Sequence, residues 1–440
     1  MNKLDETKQK LDTISPTFCL AKWQQVTIHL QNGHTHSCHH PQTHKIPVEE
    51  LEHNPSALHN TSYKKHQRKL MLQGERPEEC GYCWSVEDTQ GSHHSDRIKK
   101  SSNSTWAMPY FDKVSKSKWQ ENTIPAQVEV SFGNVCNMKC VYCSPVFSSE
   151  WWSEVKHEGA YPTSDSYNNL DWIAETDRTP YLNKEENPYV EAWWKWWPEL
   201  KTELKTLRIT GGEPFLNKNT YKLFDDLQKD PQPHLTLEIN SNLSVPTETI
   251  IKALAQLRQL RKNGCVKDVL IHTSCDAHGK QAEYIREGMN YDHWLIHCKM
   301  VRRTGISLHI MVTANMLSID TMLTFMSDVY RLKHEFKGVT YGISILHSPK
   351  FLNVLNLPKD DYWTNKFKEL DKFIKEHKLT DVNEFNYSER LKNYFLENTW
   401  NKTETKKMRK DAVKFLKEID RRRNKNFTNT FPSYNFLIQK

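Results

Sequence analysis

Three cysteines stand in the spacing C-x3-C-x2-C within SFGNVCNMKCVYCSP, residues 131–145: Cys136, Cys140 and Cys143. Three thiolates this close cannot all be bridged as disulfides, and one turn of irregular backbone can aim all three at a common centre. Soft thiolates select iron–sulfur clusters or zinc. With only three ligands present locally, a cubane held here keeps one iron without a protein ligand, and an open iron is a place for a substrate or cofactor to bind. A second motif lies in LRITGGEPF, residues 207–215: Gly211, Gly212, Glu213 and Pro214. Glycines let backbone approach a ligand closely, and a carboxylate can pair with an ammonium; a Gly-Pro cluster can also be a plain turn. Of the ten cysteines, four more form a second set: Cys19, Cys38, Cys80 and Cys83. A hairpin around Asn32-Gly33 brings one or two of them, with Cys38 on the returning strand, and the C-x2-C turn in GERPEECGYCW brings two. Such a set suits an iron–sulfur cluster or zinc, and zinc could exchange one thiolate for His36, His39, His40 or His44. Cys265 and Cys298 look structural. Cys275, between Ser274 and Asp276, is either a reactive thiol at a cleft or a buried cysteine.

These groups need a scaffold, and the sequence supplies a repeating one. VEVSF (128–132) alternates apolar and polar residues and leads into the first cysteine. TLRIT (206–210), LTLEINSN (235–242), DVLIHTSCD (268–276), LHIMVTAN (308–315) and VTYGISIL (339–346) follow, with helical text between them. Six strand–helix units predict a parallel α/β sheet, in which functional residues gather at the C-terminal ends of the strands.

The chain resembles the radical S-adenosylmethionine (radical SAM) superfamily, whose signature is C-x3-C-x-aromatic-C, here with Tyr142 as the aromatic, after the first strand of a partial (β/α)6 barrel. The GGEP motif ends the second strand in that family and holds the amino group of the cofactor's methionine. The resemblance implies a 4Fe-4S cluster at Cys136, Cys140 and Cys143, with S-adenosyl-L-methionine (AdoMet) at its open iron. It implies reductive cleavage of AdoMet to a 5′-deoxyadenosyl radical that takes hydrogen from a substrate. It further implies that Ser241 and Asn242 lie near the ribose, that Ser274 and Asp276 occupy an S-x-D position after the fourth strand, and that Arg286 pairs with the cofactor carboxylate. The backbone beside Tyr142 would meet the adenine, and Val312 and Asn315 stand at the fifth strand end. A low-potential electron donor such as flavodoxin or ferredoxin is expected.

The second cysteine set resembles the twitch and SPASM modules that hold an auxiliary iron–sulfur cluster, although those modules usually follow the barrel. The order found here is similar to twitch-domain radical SAM proteins of tailed-phage genomes. Peptide or protein residues are the substrate class this implies first, then a nucleotide or nucleic-acid base. A non-catalytic metal-binding module that recognises nucleic acid is a third reading, against which the complete motifs speak.

Three regions result: a cysteine-rich, twitch-like segment (1–125), the barrel (126–347) and a basic helical segment (348–440). The 440 residues suffice for such a core. No run of 18 apolar residues occurs and MNKLDETKQK is polar, which excludes a membrane span and a signal peptide and places the protein in the cytoplasm, of a host cell if phage-encoded. The net charge of +7 is concentrated after Lys359, where 20 Lys and Arg face 13 Asp and Glu. Arg421, Arg422 and Arg423 there are either a solvated helix face or a contact for RNA, DNA or an acidic peptide. Helical text is expected over 361–378 and 388–423, with the tail packing back on the barrel. Trp193, Trp194, Trp196 and Trp197 are either core and interface or an aromatic platform. Residues 89–105 read as a linker or loop, with Asp96 and Arg97 as weak substrate contacts, and 157–190 as a polar insertion.

Overall fold

The computed structural model describes residues 2–89, 93–182, 185–379 and 386–437. Parts of the expected linker (90–92), of the insertion (183–184) and of the tail (438–440) lie outside these. The alternating segments form strands β1 (Gln25–His29), β2 (His34–His36), β3 (His44–Lys45), β4 (Gln127–Ser131), β5 (Lys139–Cys140), β6 (Thr206–Thr210), β7 (Gln232–Asn240), β8 (Val266–Ser274), β9 (Arg286–Glu287), β10 (Ser307–Ala314) and β11 (Val339–Ile345). Nine pair into one sheet in the order β11-β10-β8-β7-β6-β4-β1-β2-β3, and β5 pairs with β9. From β11 through β1 every pairing is parallel. Parallel neighbours need crossovers. Helices Pro188–Glu203, Lys218–Lys229, Thr247–Lys262, Tyr291–Arg303 and Ile319–Glu335 supply them.

The period-two pattern decides which face meets those helices. Val128, Val130, Leu207, Ile209, Leu237, Ile239, Val269, Ile271, Leu308 and Ile310 are all buried in the main core. The residues between them, Glu129, Arg208, Glu238, His272 and His309, share the other face. There His272 Nε2 lies 3.0 Å from Glu238, and Arg208 donates to Asn240 at 2.9 Å. Trp193, Trp196 and Trp197 are buried, which makes them core. Trp194 is half-buried, with Lys222 Nζ 4.0 Å from its ring centroid.

The sheet does not stop at β4. β1 runs parallel to β4 in the register Gln25↔Gln127 to His29↔Ser131. The turn to β2 runs through Asn32-Gly33. Gly33 has φ +69°, and a Cβ there would lie 2.0 Å from the Tyr189 ring, so only glycine fits. Cys38 falls just after β2 rather than on it, because the returning strand ends at His36. A smaller core gathers Phe18, Cys19, Leu20, Trp23, Met71, Cys80, Cys83, Trp84, Trp106 and Phe111. Part of the expected 89–105 linker is the helix Asp96–Ser101 packed beside it.

Helices Asp361–Glu376, Tyr387–Glu397 and Lys402–Arg423 follow β11. The run read as 388–423 is broken because Asn401 caps the last helix, accepting from Glu404 N. Phe427, Phe431, Tyr434 and Leu437 are buried, and Tyr434 donates to Met316 O at 2.6 Å, so the tail packs back as expected as far as residue 437.

Candidate active site

β4 delivers the chain to the cysteine loop, and short contacts fix that loop. Ser149, at the start of the helix Ser149–Glu158, accepts from Cys136 N at 3.1 Å and donates to Cys136 O at 3.2 Å. Trp151 Nε1 donates to Cys140 O at 2.8 Å. Cys143 N donates to Cys140 O at 2.9 Å, which turns the chain between the second and third thiols. β5 against β9 sets Cys140 opposite Arg286, whose Nη1 lies 3.8 Å from Cys140 Sγ. All three thiols are half-buried. Burial and then the neighbouring thiols push the pKa of Cys136 up. Burial and then Cys140 bring Cys143 up to about 12. A metal reverses this by taking the deprotonated sulfur.

The GGEP segment lies directly against this loop. Gly212 N donates to Gly133 O at 3.1 Å and Glu213 N to Val135 O at 2.7 Å. A Cβ on Gly212 would lie 2.2 Å from Val135 O, and one on Gly211 2.6 Å from Ser131 Oγ. The close approach the glycines permit is thus to residues 131–135, whereas the sequence suggested approach to a ligand. Pro214 opens a one-turn 3-10 helix behind them.

Glu213 is buried. Its carboxylate accepts from Phe215 N at 3.0 Å, Ser241 Oγ at 2.9 Å and Asn242 N at 2.7 Å. Burial nevertheless brings its pKa up to about 7, so a cation arriving beside it would be well received. Ser241 and Asn242 are therefore tied to Glu213. Asn242 Nδ2 also donates to Asn137 Oδ1 at 2.9 Å, and Asn137 to Ser244 O at 2.9 Å. Asn137, a residue inside C-x3-C that the sequence did not single out, joins the third strand's end to the cysteine loop.

Asp276 organises a second group. Its carboxylate accepts from Arg286 Nε at 2.9 Å and Nη2 at 3.3 Å, from Tyr142 OH at 2.6 Å and from Thr313 N at 2.7 Å. Arg286 also donates to Tyr142 OH. The guanidinium expected at a cofactor carboxylate is thus held by Asp276, with Cys140 on its open side. Ser274 ends β8 half-buried. Cys275 is fully buried and donates to Ala277 O at 3.3 Å, the environment of a structural cysteine. Val312 is core and Asn315 folds back on its own loop, donating to Thr313 O at 2.9 Å.

Cys19, Cys38, Cys80 and Cys83 line one small cavity together with Lys22, His40, Asp96 and Arg97. Buried Lys22 donates to Glu79 and to Ser37 O. Burial alone would lower its pKa, but Cys80, Glu79 and Cys38 raise it, so it stays charged. Arg97 donates to Glu87 at 2.9 Å and to Phe18 O at 2.9 Å, a role inside the protein rather than at a substrate. Among the described residues, the one group of three or more His, Cys, Asp or Glu ligand atoms all within 4.8 Å of one another is His39, His40 and Asp96. Neither cysteine set meets that spacing.

The three arginines at the end of the last helix are engaged inside the protein. Arg421 pairs with Glu158 and Glu418. Arg422 pairs with Glu418 and donates to the carbonyls of Glu158, Gly159 and Ala160. Arg423 grips Glu154 at 3.0 and 3.1 Å and donates to Lys139 O at 2.7 Å, next to Cys140. Of the cluster read as either a solvated helix face or a polyanion contact, Arg423 holds the cysteine loop and the other two hold the end of the helix Ser149–Glu158. The signal for this was present only as an Arg run; its partners lie far upstream.

Residues 130–329 match the family model described as the radical SAM superfamily. That stretch is similar to a radical SAM domain. Among solved structures, hexahistidine-tagged anSMEcpe with bound AdoMet is 13% identical over 56% of this chain and 57% of that one, with a TM-score of 0.34. Native anSMEcpe with bound AdoMet is 15% identical over 62% and 68%, with a TM-score of 0.36. Streptococcus suis SuiB is 12% identical over 84% and 70%, with a TM-score of 0.38. The chain thus spans little more than half the length of the first of these. No curated protein matches the chain by sequence. Among the described residues no helix is long and apolar enough to cross a membrane.

Proposed function

We propose that the protein is a cytoplasmic radical SAM enzyme that modifies a peptide or protein residue. In this reading Cys136, Cys140 and Cys143 hold a 4Fe-4S cluster, and Glu213 receives the ammonium of AdoMet. The observation that carries it is the buried Glu213 carboxylate. It is held by Ser241 and Asn242 and braced through Asn137 against the cysteine loop, within the segment that matches the family. When bound, the cluster and AdoMet supply a 5′-deoxyadenosyl radical that takes a hydrogen atom from the substrate, using one electron from a flavodoxin or ferredoxin. The chain's part is to position and shield. Asp276 fixes Arg286 and Tyr142 beside Cys140, and Gly211 and Gly212 let the second strand's end lie flush against the loop. The six strands from β4 to β11 form the partial (β/α)6 barrel in this proposal; support comes from Ser348, just past β11, which lines the same cavity as His29 of β1.

Cys19, Cys38, Cys80 and Cys83 hold an auxiliary iron–sulfur cluster in a twitch-like region. Their gathering around one small cavity and their resemblance to twitch modules support this reading. Lys22 and Arg97 offset the charge of the thiolates. The test is anaerobic reconstitution with iron and sulfide, followed by dithionite and AdoMet. About eight irons per chain and release of 5′-deoxyadenosine are expected. A chain that binds neither iron nor AdoMet would defeat the proposal, as would undiminished 5′-deoxyadenosine from each of Cys136→Ala, Cys140→Ala and Cys143→Ala.

A further inference from the structure

A cavity of about 420 Å³ opens where β1 ends at His29, beside Ser144, the residue after Cys143. Its size is that of a site for a small molecule or a few peptide residues. Pro41 lines both this cavity and the four-cysteine one, so the space lies between the two sulfur sets.

Its walls have a distinct chemistry. Phe147, Tyr167 and Trp172 are aromatic, and Arg178 and Asp165 carry its formal charges. The Arg178 guanidinium lies 5.7 Å from the Trp172 ring centroid. Among the described residues no carboxylate comes within ion-pair distance of it. The other guanidiniums near the sulfur sets are all taken: Arg286 by Asp276, Arg423 by Glu154 and Arg97 by Glu87. The histidines do not compete for an anion. His34 uses its ring nitrogens on Thr43 Oγ and Asp177 O. Burial, then His34, then Arg178 bring His29 down to about 4, so it is neutral at pH 7.

We propose that this cavity seats the substrate and that Arg178 binds a carboxylate on it, an acidic side chain of a peptide. The proposal rests on the radical SAM reading for the chemistry but not for the binding. A guanidinium offers a carboxylate two parallel donors. The Trp172 ring lies beside the fork, and the aromatic walls take the apolar stem of the neighbouring residue. A phosphate dianion fits less well: among the described residues the cavity has one free cation, Asp165 faces the same space, and no lysine or glycine-rich loop lines it.

The test uses the full chain, reconstituted anaerobically with iron and sulfide and offered a randomised synthetic hexapeptide library at pH 7 with AdoMet present. Bound peptides from the wild type should be enriched in Asp or Glu over Asn and Gln by about tenfold. Arg178→Gln should abolish that preference, Arg178→Lys should keep part of it, and Asp165→Asn should increase it. Equal profiles for wild type and Arg178→Gln, no acidic enrichment, or binding of AMP with no peptide retained would each overturn the proposal. Wild-type 5′-deoxyadenosine release is measured separately. Its absence would defeat the radical reading while leaving peptide selection by Arg178 to stand or fall on binding.

Discussion

Replacing Arg423 by alanine should unfasten the cysteine loop, and the cost can be worked from the structure. The Arg423 side chain is fully buried and Glu154 is 6% exposed. Burial alone would raise the pKa of Glu154; bonds from Arg423, Lys139 and Tyr161 bring it down to about 2 instead. Holding a carboxyl that far below its ordinary 4.5 corresponds to about 3 kcal/mol. Removing one partner of a buried pair costs about 3–5 kcal/mol by a separate route, the stranded charge. The two agree. Urea unfolding at pH 7 should show Arg423→Ala and Glu154→Gln each destabilised by about that amount, with the double variant well short of the sum.

The pH dependence follows from the sign. A folded pKa below the unfolded one gives stability that is present above about 4.5 and lost as pH falls toward 2, so the gap between wild type and Arg423→Ala should close over that window. Arg423→Lys should recover little, since a point charge cannot span both carboxylate oxygens and the Lys139 carbonyl. Iron bound per chain should fall in Arg423→Ala, because Lys139 O adjoins Cys140. A loss below about 1 kcal/mol, with unchanged iron content, would refute the reasoning.

Gly212→Ala should push residues 134–135 away, because its Cβ would lie 2.2 Å from Val135 O; iron per chain after reconstitution should drop and stability fall by about 2 kcal/mol or more. Glu213, with its pKa up at about 7, holds its proton longer folded than unfolded, so the iron-free protein should lose stability as pH rises from 5 to 8. Glu213→Gln should lack that part of the slope, while setting an amide against Asn242 N, and urea midpoints at the two pH values check both. Cys275→Ala should leave 5′-deoxyadenosine release within about twofold and cost about 1 kcal/mol in stability, since the thiol is packed and bonded internally.

The six strands named from the sequence and the C-x3-C-x2-C set were legible because their signals are local: a period of two in apolar residues, and thiols a few positions apart; of the second set only the Cys80–Cys83 pair had such a signal. Glu213 was legible for the same reason. What escaped is non-local. Nothing in WQQVTIHL distinguishes a free hairpin from one whose first strand docks on β4, far along the chain. An arginine run looks the same whether its partners are nucleic acid or Glu154 and Glu158. Arg286 is suited to any carboxylate, and only folding reveals that Asp276 reaches it first. Gly211 and Gly212 announce a close approach without saying to what.

The docking of β1 on β4 has a consequence for anyone who would trim the chain. Cut back to residues 126–347, the protein would end its sheet at β4, whose Val128 and Val130 are apolar and whose outer amides and carbonyls would be left open. Such an edge recruits strands from neighbouring molecules. In the intact chain that edge is handed on through β1 and β2 to β3, a two-residue strand carrying His44 and Lys45, too short and too polar to template another. The N-terminal strands therefore serve as an aggregation guard for the parallel sheet, and a truncated domain that precipitates would be reporting the loss of that guard.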